Sequence, residues 1–315
     1  MNLPEQTKTV KTNFDSKIDW PVIAFFVIAY GLAWGLVLVF NAVAAASGVE
    51  NGLTLMALTE SLKLAPIANQ LVVPGWFLYL LTRVQDFSFT IAGVVVTAVI
   101  AGRAGLKILG KKFNPRLAGW RWYGAALLLP YGLFGAAALL TIASDPAILE
   151  TINISLQSLW AVLFGAQAGL IFYMLLRGGM GEEPGLRGFA LPRLQLRYGP
   201  TIASFIIGLL WAGWHLPVYI QSEVVSVIVS LLLAFSFSFL FTFFYNYARE
   251  SLWVVILLHA GMNAGDNAFE VIFPGLIDTD WQIPAYLGLF LLSIILGIVT
   301  WRRSRKQGFE VTAIM

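Results

Sequence analysis

The chain has 315 residues, 58% of them hydrophobic and only 12% charged, with a mean hydropathy of +0.78 and a formal net charge of +3. That composition cannot furnish a water-soluble surface around one ordinary core, so the chain reads as an integral membrane protein. Zero cysteine excludes a disulfide framework, a thiolate nucleophile and a thiolate metal site, and the lack of alternating period-2 segments excludes an outer-membrane barrel. The fold class expected is all-α, a polytopic bundle of transmembrane helices forming one domain over residues 20–301.

A polar N-terminal tail, residues 1–19, carries Lys8, Lys11 and Lys17 and favours the cytoplasm. The first apolar block, 20–46, is too long for a signal-peptide core and reads as a retained signal anchor. Further apolar segments follow at 65–82, 87–101, 122–143, 158–176, 200–220, 224–247, 252–273 and 284–301, several of them near the ~20 residues a helix needs to span a bilayer. Segment 65–82 contains Pro66, Asn69, Gln70 and Pro74 and is expected to be partial or re-entrant, since broken backbone is tolerated only where protein or water covers it. Eight crossings result.

The connection 103–121 holds Arg103, Lys107, Lys111, Lys112, Arg116 and Arg121 with no acidic residue, which assigns it to the cytoplasm. Leu106, Ile108, Leu109 and Phe113 interleave with these cations, as in a short helix lying on an anionic leaflet, and a nucleic-acid partner is not expected. Residues 177–197, Arg249 and the basic tail 302–315, with Arg302, Arg303, Arg305 and Lys306, are expected on the same side. The connections with Asp145 and Glu150, and with Asp278 and Asp280, lack Lys and Arg and belong outside. The Phe-rich run 235–244 reads as lipid-facing, with Ser226, Ser230, Ser236 and Ser238 permitting close helix contact.

Chemistry concentrates in 157–273. The only two histidines, His215 and His259, lie inside apolar, tryptophan-containing stretches, where an ionisable group is by default a functional candidate. Glu182 and Glu183 are adjacent, and two carboxylates in a partly dehydrated site cannot both be ionised without a compensating cation. Glu183 and Arg187 stand four apart on one helix face and form a natural pair, leaving Glu182 available as a general base. His259 and Asn263 also share a helix face. Singly, each has a bland reading: interfacial charges, a packed histidine after Trp211, a glycine contact at Gly261. Together, a carboxylate, two imidazoles and an amide supply a base, a pair that positions water or binds metal, and an oxyanion donor, the parts of a hydrolase.

These residues also carry a family resemblance. The order Glu182-Glu183-x-x-x-Arg187, then Trp211-x-x-x-His215, then His259-x-x-x-Asn263 resembles the CPBP intramembrane endopeptidases, also called the CAAX protease, bacteriocin-processing or Abi group. The likeness runs through EEPGLRGFALPRLQLRYGP and WHLP and more loosely back to GWRWYGAALLLP; Trp211 stands where the broad pattern often has Phe, as in a WHLP-bearing bacterial subgroup. It implies that Glu182, assisted by His215, activates a water for attack on a peptide carbonyl. His259 and Asn263 would stabilise the oxyanion, with Glu183, Arg187 and Trp211 in support. No cofactor is favoured, although Glu182, His215 and His259 could make a three-ligand zinc site; the His-Glu-x-x-His helix motif is absent. The substrate implied is a membrane-embedded or lipid-modified peptide or protein, cleaved in a bacterial plasma membrane at a site opening to the cytoplasm. The competing classes are a non-enzymatic membrane scaffold or immunity-type protein and a proton-coupled secondary transporter, which would also hold such residues at mid-membrane. The sequence does not set the oligomeric state.

Depth sharpens the expectation. His259 is eight residues past Ser251, about 12 Å of helix, and His215 fifteen past Pro200, about 22 Å. Glu182 would sit near the cytoplasmic edge unless the chain is unwound at Gly178, Gly179 and Gly181, with 185–198 dipping into the membrane.

Overall fold

A computed structural model describes residues 8–10, 19–152, 155–220, 223–307 and 309–311; most of the polar N-terminal tail and the end of the C-terminal tail lie outside the described residues. Apolar side chains on every face let helices bury one side against neighbours and offer the other to lipid. Five helices are long and apolar enough to cross a membrane: α1 (Trp20–Ala46), α4 (Ser88–Lys111), α5 (Trp120–Ser144), most of α11 (Val224–Tyr247) and most of α14 (Ile283–Gln307). The molecule is an all-helical membrane bundle.

α1 starts at Asp19, whose carboxylate accepts from the Val22 amide and pairs with Arg193 at 3.3 Å. α2 (Gly52–Glu60) packs back on α1, with the Gly52 amide donating to Asn41 Oδ1 at 2.8 Å. The prolines and amides of 65–82 do not make a re-entrant loop of their own. Residues Ala65–Gln70 form a 3-10 turn, and α3 (Gly75–Asp86) then leads straight into α4. Phe87 N donates to Arg83 O, and Ile91 N to Phe87 O, so helical hydrogen bonding carries across the break at Phe87. Two of the expected segments, 65–82 and 87–101, thus share one path. α4 breaks again at Gly102, in the left-handed region at φ 54° where glycine alone is unstrained, and its last piece buries Leu109 against Gly188 and Leu252.

Segment 158–176 is not a single helix. α6 (Leu156–Trp160) passes through a π-turn into α7 (Gln167–Leu176), and the chain breaks at Arg177, whose φ of −133° and ψ of −142° leave the helical region. α8 (Gly178–Gly185) then continues through the π-turn Leu186–Ala190 into α9 (Leu191–Trp214), which bends at Gly199 with φ 75°. Residues 178–198 therefore form one path about 30 Å long. They run antiparallel to α12 (Leu252–Ala264), because Gly178 meets His259 and Asn263 whereas Gly188 meets Leu252. The expectation that 177–197 lie together at one membrane surface is corrected: Arg177 and Arg193 mark opposite ends of a helix.

Beyond Gly199, α9 returns antiparallel to α11, with Ser238 Oγ donating to Ser204 O at 2.7 Å and Gly208 against Phe235. α10 (Leu216–Tyr219) follows His215 directly, and α13 (Asn267–Ile272) follows α12. α5 and α12 run parallel, Pro130 lying on Gly261 and Phe134 on Gly265. α14 packs Gly297 on Phe239 and sets Arg303 over the Tyr247 ring. A short antiparallel ribbon pairs β1 (Lys8–Val10) with β2 (Phe309–Val311), which follows α14 and packs against α9 at this same end of the bundle. That basic end contrasts with an opposite end carrying Asp145, Glu150, Asp278 and Asp280. The main core, between α1, α4, α8, α9, α11 and α12, includes Phe25, Phe89, Phe189, Ile207 and Phe241.

Candidate active site

The glycines of α8 are its packing surface rather than an unwound stretch. A Cβ on Gly181 would fall 2.4 Å from Asp86 O, one on Gly185 2.1 Å from Phe89 O, and one on Gly179 3.0 Å from Ile256 O. Only hydrogen at these positions lets α8 press between α4 and α12, the close approach that small residues permit in membrane helices. The result is that Glu182 and Glu183, on neighbouring sides of α8, sit deep in the bundle, 7% and 0% exposed.

Glu183 is the structural anchor. Its Oε1 accepts from His259 Nδ1 at 2.6 Å and from Arg187 NH1 at 3.1 Å, with all three side chains buried. The Arg187 guanidinium lies between the Trp211 and Phe241 rings, 5.4 and 5.1 Å from their centroids. A fully desolvated pair of this kind is costly to break, because one member without the other leaves an uncompensated buried charge. By engaging Nδ1, Glu183 also fixes the His259 ring and turns Nε2 towards α8. There a Cβ on Gly178 would fall 2.6 Å from His259 Nε2 and 3.0 Å from Asn263 Nδ2, so the residue must be glycine for both groups to stand at the cavity wall.

His215 is held in the same manner by a different partner. Its Nδ1 lies 3.0 Å from Trp211 O, one helical turn back. A carbonyl can only accept, so Nδ1 carries the proton and Nε2 is the free lone pair. The end of α9 is fixed against α1 and α4: Tyr30 O–H donates to Leu210 O, Trp34 Nε1 to Trp214 O at 3.0 Å, and Trp214 Nε1 to Ser88 Oγ at 3.1 Å.

Glu182, Trp211, His215, His259 and Asn263 all line one cavity of about 690 Å³. Exposure rises along it, from Glu183 and Arg187, which are fully buried, through His259 and Glu182 to half-buried His215 and exposed Asn263. Part of its lining is apolar, with Leu53, Met56 and Ala57 from α2 and Leu233 and Phe237 from α11. Every residue expected at the site is thus brought to it, Glu183 and Arg187 behind the wall and the others at its surface.

Four charged residues not singled out in the sequence stand at the same cavity. Arg83 NH1 reaches Asp86 at 2.8 Å, and Arg177 reaches Glu60 at 3.0 Å and Asp86 at 3.6 Å. Arg83 NH1 also donates to Leu176 O at 2.7 Å, satisfying a carbonyl released where the chain breaks at Arg177. Glu60, Asp86 and Arg177 line the cavity itself. Phe241 was likewise hidden in a run expected to face lipid; it is buried, with its ring 5.1 Å from that of His259. Only the serine spacing of that run, realised at Ser238, hinted that one of its faces is internal.

Among the described residues no three His, Cys, Asp or Glu side chains are arranged to hold a metal ion. Glu182, His215 and His259 nevertheless line the same cavity, with His259 held through Nδ1 by Glu183 and His215 through Nδ1 by Trp211 O.

Residues 164–265 match the family model described as type II CAAX prenyl endopeptidase Rce1-like. That range, less than half the chain, contains all the candidate site residues. A curated relative, CAAX prenyl protease 2 of Methanococcus maripaludis, is 40% identical over 48 residues, 15% of this chain and 18% of the relative. The chain therefore aligns with under a fifth of that protein's length, and its likeness to the CAAX-protease group rests on the helices that carry the site.

Proposed function

We propose that the chain is an intramembrane endopeptidase that uses Glu182 to activate water for hydrolysis of a peptide bond in a membrane-associated substrate. The observation that carries this reading is that Glu182, His215, His259 and Asn263, from three helices, line one cavity while Glu183 holds the far nitrogen of His259. Water bound between Glu182 and His215 Nε2 loses its proton to Glu182 as its oxygen attacks the substrate carbonyl. General-base catalysis of this kind contributes about 10²–10⁴-fold. The developing oxyanion is received by Asn263 Nδ2 and by the His259 ring, which the Glu183 carboxylate holds through Nδ1. Donors fixed beforehand in a water-poor site stabilise that charge without reorganising. The proton on Glu182 then passes to the leaving amine, releasing both products and restoring the carboxylate. Glu183 and Arg187 are positioning residues. No step of this reading is routed through a metal.

The helix paths make eight crossings in this reading: α1, the joined α3 and α4, α5, residues 178–198, the second part of α9, α11, α12 and α14. The basic connection 103–121 and both chain ends then face the cytoplasm of a bacterial plasma membrane. Mass spectrometry of peptides incubated with the purified protein in lipid nanodiscs tests the activity. Wild type is expected to cleave with or without chelator, and His215→Ala and Glu182→Gln are expected to be slower by about 10²–10⁴-fold. Cleavage at the wild-type rate in Glu182→Gln would overturn the assignment.

A further inference from the structure

We infer that the cavity opens at the extracytoplasmic end of the bundle, so that the substrate is an apolar peptide segment presented from that side or from the outer leaflet. The inference rests on the reading of the cavity as a proteolytic site, and it departs from the cytoplasmic opening expected from the sequence. Two observations together carry it.

The first is where the cavity stands. Its floor, on the side of Leu252, Arg193 and the β1–β2 ribbon, is shut by Leu186, Arg187, Ile207 and Phe241, each no more than 1% exposed. Its mouth is lined by Glu60, Arg177, Val218 and Asn263, among which Asn263 and Val218 are exposed. Arg177 begins the 178–198 path, about 30 Å of helix from Tyr198, and His215 ends a rise of about 22 Å from Pro200. Every element that brings a site residue therefore does so at the end furthest from the basic connection. α8 enters there, the second part of α9 finishes there, and α12 carries His259 and Asn263 towards it.

The second is charge. Lys111, Arg116, Arg193, Arg197, Arg249 and Arg303 cluster at the closed end, whereas Asp145, Glu150, Asp278 and Asp280 flank the open one. An excess of Lys and Arg of this size faces the cytoplasm. A flexible cytoplasmic tail would have to pass the packed floor to reach Glu182, whereas a segment from the outer side meets Glu182 directly. The walls select its character. Leu53, Met56 and Ala57 on α2 and Leu233 and Phe237 on α11 line it, and the charges of Glu60 and Asp86 at the rim are matched by Arg83 and Arg177. An uncharged apolar stretch fits this lining, with its scissile carbonyl reaching Asn263.

The natural absence of cysteine makes a direct test available. Ala57→Cys and Val218→Cys report the mouth, Glu150→Cys the acidic end and Arg303→Cys the basic end. Intact cells are treated with a membrane-impermeant maleimide, with permeabilised cells alongside. The expected result is that Ala57→Cys, Val218→Cys and Glu150→Cys are labelled in intact cells and Arg303→Cys only after permeabilisation. Labelling of both mouth positions only after permeabilisation, labelling of neither under any condition, or labelling of Arg303→Cys in intact cells would each overturn the inference. The readout does not depend on catalysis. Adding Glu182→Gln to each variant should leave the labelling pattern unchanged, so a failure of the protease reading and a failure of the access inference are seen separately.

Discussion

Two clusters of carboxylates and guanidinium groups flank the same cavity, and they are built on different principles. The inner one, Glu183, Arg187 and His259, has two members four residues apart on one helix and is sealed from solvent. The outer one joins Glu60, Arg83, Asp86 and Arg177 from α2, α3 and the break before α8, with side chains 11–27% exposed. Burial makes the difference functional. The inner charges cannot be relieved by water, so they hold one geometry and fix the ring of His259. The outer charges share the field with solvent at the cavity mouth and can exchange partners at small cost.

Breaking one member of each cluster should expose this contrast. Glu183→Gln leaves Arg187 buried without its counter-charge, and loss of about 3–5 kcal/mol of stability is expected together with loss of cleavage, checked by thermal melting and peptide assay. Gly185→Ala forces a methyl against Phe89 O and should cost about 1–3 kcal/mol by overpacking, again read by melting. Arg177→Gln removes the ion pairs to Glu60 and Asp86 at the partly exposed mouth. A change of about 0–1 kcal/mol is expected, and double-mutant cycles of Glu60 with Arg177 and of Glu183 with Arg187 should give the larger coupling to the inner pair. Leu139→Ala, at a side chain 70% exposed on α5, should shift melting least of all. An inner coupling no larger than the outer one would end the distinction between a rigid anchor and an adjustable rim.

The same contrast explains what the sequence made legible. The Glu183 to Arg187 and His259 to Asn263 spacings are helical, so residues that act together are also neighbours on one helix face, and the resemblance through WHLP adds His215. The outer cluster spans residues 60 to 177, and no local period links Glu60 to Arg177; only the path of α2 and α3 brings them together. The apolar segments were visible as hydropathy, but their continuity was not. Pro66 and Pro74 suggested a broken span, whereas they precede a helix that carries on past Phe87 into α4. Gly178, Gly179 and Gly181 suggested unwinding, because glycine in a sequence reads as freedom of backbone. In the fold they supply absence of side chain, and the break falls one residue earlier at Arg177. That shift turned 178–198 into a helix across the bundle and moved Arg177 to the far end from Arg193.

The most direct test compares Glu182→Gln with Glu183→Gln in the same lipid nanodiscs, measuring kcat for a cleaved peptide and Tm for each protein. The account predicts that Glu182→Gln melts like wild type while kcat falls by about 10²–10⁴-fold, and that Glu183→Gln loses both. A Glu182→Gln protein that cleaves at the wild-type rate would contradict the role of Glu182 as the base that activates water.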